Sequence, residues 1–189
     1  MVAGKLIEVN KGVYINRLGH RAETAAAAAS FIRRCAIVSL SYVLEQAGLT
    51  NNFGETITCI IPTRADWSPP QLSDRHFAGV GTFRFHALRL ERMEPLSARH
   101  EDMYDTRFNY QRTTPEKALL DWICLANTHR SSMRDPPMDL NADELDKRRL
   151  KRLSKAMGLE AELAAWMQKW QRYQDDPDVQ ANASRYLIG

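Results

Sequence analysis

The sequence predicts an α+β fold, with a small mixed β-sheet packed with about five helices and a C-terminal part that is all-helical. Three observations carry that prediction. Short β-type runs at 56–61 and 82–87 lie between helical segments. Residues 115–127 are apolar almost all the way round a helix. Two stretches beyond residue 140 repeat apolar residues with the helical period. The segments group into a hairpin at 1–18, an α+β core at 19–130 and a helical extension at 131–189.

The elements follow in chain order. Lys5 to Val9 and Val13 to Asn16 are short β-type runs joined by Asn10-Lys11-Gly12, the turn chemistry of a hairpin. A lone two-stranded hairpin is marginal in water, so this one must pack on the rest of the chain. Glu23 to Arg34 holds five consecutive alanines, an early acid and two late arginines, which predicts a helix. Ser39 is the expected N-cap of a second helix, Leu40 to Ala47, with Gly48 in the C′ position. Thr56 to Ile61 reads as a buried strand stopped by Pro62, and Thr63 to Ser73 as a loop. Thr82 to Ala87 alternates like a half-buried strand. Leu88 to Met93 and Arg107 to Gln111 are further strand candidates.

Pro115 to Asn127 is the clearest helix. Pro115 fits the first helical position, with Thr114 as N-cap; Thr113-x-x-Glu116 also spells a capping box. A narrow polar stripe at Lys117 and Asp121 interrupts its apolar surface, so it is the expected central helix. On that reading Asp121→Ala is mild, whereas Leu119→Ala costs about 2–5 kcal/mol. After a break at 131–138, Asn141 is the expected cap of a helix with Leu145, Leu150, Leu153, Ala156 and Met157 on one side. Gly158 ends it. Glu160 to Tyr173 forms the last helix, with Leu163, Trp166, Met167, Trp170 and Tyr173 as its apolar stripe. Those tryptophans read first as core, and second as a partner surface.

Composition excludes several classes. The chain has 189 residues, 44% hydrophobic and 26% charged, the balance of an ordinary globular protein. No apolar run approaches the ~18 residues of a membrane span. No apolar stretch follows the first basic residue, so a signal peptide is not expected. Three well-separated cysteines, Cys35, Cys59 and Cys124, argue against a disulfide framework and for a reducing cytoplasm. The net charge is +3, and 19 of the 26 basic residues are arginine. Such a balance permits nucleic-acid contact, and a solvated arginine-rich surface accounts for it equally.

No catalytic set can be assembled from the motifs. The five histidines have no helical ligand spacing, and neither Cys-x-x-Cys nor His-Glu-x-x-His occurs, so no metal or cofactor is expected. Gly79-Val80-Gly81 is a turn rather than a phosphate loop. Cys124, five residues from His129, sits in an apolar stretch and reads as an inert buried thiol. Glu116-Lys117 and Asp66 do not give the convergent strand-borne carboxylates of a metal-dependent nuclease.

The best candidate from physics alone is a basic helix face. Lys147, Arg148, Lys151, Arg152 and Lys155 fall together opposite the leucines and could neutralise phosphates. A solvated outer face whose stems cover apolar surface is the plainer reading. The face lacks the interleaved aromatics that a single-strand reader would want. Lys11, in the hairpin turn, and Arg17, just beyond it, complete the candidate set.

Four segments taken together resemble the abortive-infection antitoxin family (AbiEi-like) of type IV toxin–antitoxin systems. They are Lys11-Gly12-Val13-Tyr14-Ile15, Ala26 to Arg33, Ala36 to Leu49 and Thr114 to Asp121, in matching order and spacing over about residues 5–130. In that family an N-terminal winged helix binds the promoter, and the Gly12-Val13-Tyr14 segment resembles the end of its wing. The chain therefore resembles a member lacking most of the winged helix. The expectation is that sequence-specific operator binding is lost while weak, salt-sensitive binding survives. The resemblance implies a non-enzymatic antitoxin or transcriptional-regulator module. Its implied partners are DNA or RNA, a nucleotidyltransferase-like toxin from the same operon and further copies of the antitoxin. A nuclease-like α+β enzyme and a pure protein-interaction domain are the alternatives.

Overall fold

A computed structural model describes residues 6–16, 24–50, 54–64, 72–77, 80–129 and 131–179. Strands β1 (Leu6–Asn10) and β2 (Val13–Asn16) form the expected antiparallel hairpin. It is not left isolated: Val9 and Ile15 are buried in the same core as the helices.

The alanine run does not make one long helix. Ala25–Ala28 is a 3-10 turn, and helix α1 covers only Ala29–Ile32. The backbone is extended at Arg33 and takes a positive φ at Cys35, which turns the chain into strand β3 (Ile37–Val38). Helix α2 spans Ser41–Gln46, one residue shorter at each end than expected. Ser39 is not its cap. Thr58, on the neighbouring strand, accepts the Tyr42 N–H at 3.0 Å and donates to the Ser39 carbonyl at 2.6 Å. A side chain remote in sequence thus satisfies an orphan donor that local pattern assigned to the adjacent serine. The C-terminal end behaves as expected: Gly48 has φ +74°, and Leu49 N–H reaches the Leu44 carbonyl at 3.0 Å.

Strand β4 (Thr56–Thr63) runs straight through Pro62. β3 pairs with β4 only at Cys59 and Ile60, so beyond that point one edge of β4 is open and a missing N–H is tolerated. After β5 (Arg75–Phe77), strand β6 (Gly81–Arg89) pairs parallel with β4 along its whole length. The sheet order is β3-β4-β6-β5, parallel only at its centre. The mixed sheet and surrounding helices make the fold α+β. Ile57 and Cys59 lie beside Phe83 and Phe85 on one face, and all four are buried.

Two strand candidates are corrected. Beyond Arg89 there is no β4 partner left, and Leu90–Met93 forms the short helix α3. After α4 (His100–Met103), residues 107–111 make turns; only Arg112 and Thr113 form isolated bridges, to Val38 and Tyr104.

Helix α5 (Pro115–Ala126) is central, contacting α2, α3, α4 and two later helices, α6 (Lys147–Met157) and α7 (Glu160–Gln174). Thr114 caps it, accepting from Lys117 N–H at 3.3 Å. The Thr113–Glu116 capping box does not form, because both side chains bond elsewhere. Asp146, not Asn141, caps α6 by accepting the Arg148 and Arg149 N–H groups. Segment 131–140 has no regular structure and is held by tryptophans. Trp122, Trp166 and Trp170 donate to the carbonyls of Arg134, Pro136 and Leu140. Trp166 and Trp170 are buried, as the core reading expects, whereas Tyr173 stays exposed.

Candidate nucleic-acid interface

Helix α6 is anchored by its apolar side and by two arginines. Leu150, Leu153 and Met157 enter the core, with Leu145 just ahead of them. Arg152 forms a two-pronged pair with Asp102 at 2.6 and 3.0 Å. Arg149 bonds Glu116 at 3.2 Å, and the other Glu116 oxygen accepts the Asp146 N–H at 2.9 Å. Asp102 and Glu116 are both buried, so α4 and α5 each contribute a carboxylate that fixes the register of α6. Hydrogen bonds from Arg152 hold the Asp102 carboxyl below its ordinary range.

The predicted cations divide accordingly. Arg148, Lys151 and Lys155 are exposed and have no ion pair among the described residues. They stand at i, i+3 and i+7 on the outer face, one patch on a helix. Lys147 is exposed but pairs with Asp143 at 2.9 Å, a solvated contact of little consequence. Arg152 is half occupied by Asp102. Changing it to Glu, alone or with Lys151, is therefore not a pure surface change, because it strands a buried carboxylate. Lys11 lies exposed in the β1–β2 turn, and Arg17 lies outside the described residues.

A second polar cluster was concealed by its apparent ordinariness. Lys117 and Asp121, the narrow polar stripe of the central helix, are both 0% exposed. They form an ion pair one helical turn apart. Ser39 donates to Asp121 at 2.8 Å, and Thr113 donates to Ser39 at 3.0 Å. Burial pushes the Asp121 carboxyl up, against the pull of Lys117 and Ser39. A serine beside a lysine and an aspartate has the makings of a nucleophile and its base, but all are closed to solvent. The cluster ties α5 to the β3–α2 junction. The mildness expected of Asp121→Ala is corrected: it leaves the Lys117 ammonium buried without a partner.

Cys59 and Cys124 are buried and free, while Cys35 is free and exposed. Burial pushes the Cys124 thiol up to about 11, so it stays protonated at neutral pH.

An aromatic groove had no counterpart among the sequence motifs. Phe31 from α1, His100 and Tyr104 around α4, and Phe108 and Tyr110 from the following turns line a cavity of about 460 Å³. Phe108 and Tyr110 have ring centroids 5.5 Å apart, and His100 and Tyr104 4.9 Å. The only local signal was the aromatic alternation at Phe108 and Tyr110, which read as a strand.

No family model, no curated protein and no solved structure matches the chain. Among the described residues no helix is long and apolar enough to cross a membrane.

Proposed function

We propose that the chain is a non-enzymatic antitoxin or regulator module that touches nucleic acid through the outer face of α6. One observation carries the reading. Arg148, Lys151 and Lys155 project together from a helix whose opposite side is locked to the core by leucines and two buried carboxylates. A row of cations on a helix already fixed in place suits phosphate contact, since the backbone needs little further ordering on binding. The antitoxin role rests on the resemblance of four segments to the abortive-infection antitoxins. It brings with it a nucleotidyltransferase-like toxin partner, contacts between antitoxin copies and action in the reducing cytoplasm, with which three free cysteines agree.

Co-expression tests the antitoxin role. The reading frame downstream of this chain is expected to arrest growth when expressed alone and to lose that effect when this chain is supplied. A downstream product that is harmless, or toxicity that this chain leaves untouched, contradicts the role.

A further inference from the structure

We propose that the aromatic groove is a base-stacking subsite for single-stranded nucleic acid, continuous with the cations of α6; this rests on the reading of α6 as a phosphate-contacting face. Proteins that bind single strands combine a cationic track for the backbone with aromatic faces for the bases. The cations of α6 and the rings of the groove lie on different segments of the chain. The fold assembles them.

The track reaches the groove at α4. A cleft of about 410 Å³ between α4 and α6 is lined by Arg99, Arg152 and Lys155, with Ser97 and Asp102. His100, the next residue after Arg99, belongs instead to the aromatic groove. The cationic cleft and the aromatic groove therefore lie on two sides of one helical turn. A strand whose phosphates follow Lys151, Lys155 and Arg99 is delivered to His100 and Tyr104.

Two features of the groove suit a stacked base and its phosphate. Phe31 is 71% exposed and Phe108 36%, large apolar surfaces left open to solvent on opposite elements. Arg112 lines the same groove, is only 5% exposed, and has an Nε with no hydrogen-bond partner. Its guanidinium rests 4.2 Å from the Phe108 ring centre and makes one long hydrogen bond, 3.4 Å, to the Val43 carbonyl. No carboxylate pairs with it among the described residues; nearby Asp105 is taken by Arg107 at 2.7 and 2.8 Å. The guanidinium shares the charge of Asp105 with Arg107, and a buried guanidinium without a counter-charge of its own is costly. A phosphate brought in beside a stacked base supplies one, and the Gln111 amide at the rim offers both a donor and an acceptor to a base edge.

The test compares three fluorescein-labelled probes of equal length by anisotropy: an oligothymidine strand, an abasic phosphodiester strand and a duplex. The full chain is expected to bind the oligothymidine about ten-fold more tightly than the abasic strand, which keeps the phosphates and lacks the bases. Phe31→Ala with Phe108→Ala is expected to remove that advantage and leave duplex binding unchanged. Phe31→Ala alone, at an exposed position that leaves the fold intact, is expected to lower it, and Phe31→Trp to keep it. Equal affinity for the two single strands, or an advantage that survives the double substitution, overturns the subsite while leaving the α6 reading standing. Binding to none of the three probes overturns both. A dimer that Phe31→Ala converts to monomer, with no preference for bases, assigns the groove to a second copy and overturns the subsite.

Discussion

Helices α5 and α6 both carry charged residues three or four positions apart and put them to opposite uses. On α5, Lys117 and Asp121 are four residues apart and sealed from water, each serving as the other's counter-charge. On α6, Arg148, Lys151 and Lys155 recur at similar spacing with their charges in solvent. Packing makes the difference. α5 is surrounded by five helices, so even its polar stripe meets protein, whereas α6 has one side covered and one free. Periodicity identifies which residues share a face; where the neighbours sit around the helix decides whether that face is wet.

The largest effect should come from breaking the buried pair. Asp121→Ala is expected to destabilise the protein by about 3–5 kcal/mol, because it strands the Lys117 ammonium in the core. Leu119→Ala, in the same helix and also fully buried, is expected to cost about 2–5 kcal/mol by leaving a cavity. Chemical denaturation of both variants checks the pair. An Asp121→Ala protein as stable as the parent would remove the cluster from the core.

A smaller effect lies between the two helices. Asp102 has its carboxyl held down by Arg152, so its contribution is present above the ordinary carboxylate range, about pH 4, and fades as pH falls through the lower folded value. Thermal melts from pH 6 to pH 3 are expected to fall less steeply for Arg152→Gln than for the parent. Parallel curves would mean that Asp102 draws its stabilisation from other groups. Smallest of all is the stability change at Arg148, Lys151 and Lys155, within about 0.5 kcal/mol for each exposed substitution.

Much of the fold is legible in the chain because the signals are local and strong. The β1–β2 hairpin, the α5 N-terminus at Thr114-Pro115 and the glycine ends at Gly48 and Gly158 each depend on a few adjacent residues. What escaped depends on partners far away in sequence. Thr58 displaces Ser39 as the cap of α2, and Glu116 turns from its own helix to hold Asp146 and Arg149. The candidate site divides in the same way. The cations of α6 could be read from spacing, but Arg152's engagement by Asp102, fifty positions earlier, could not. The aromatic groove had no sequence signature, because its rings come from α1, α4 and the turns at 108–110.

That α6 is a phosphate-contacting face is tested most directly by the salt dependence of duplex binding. The parent and a variant with Arg148→Glu, Lys151→Glu and Lys155→Glu are titrated at several salt concentrations. The variant is expected to melt like the parent, to bind more weakly, and to have a log–log salt slope shallower by up to about 2.7, near 0.9 for each phosphate that it no longer neutralises. A variant with the parent's affinity and the parent's slope would contradict the assignment.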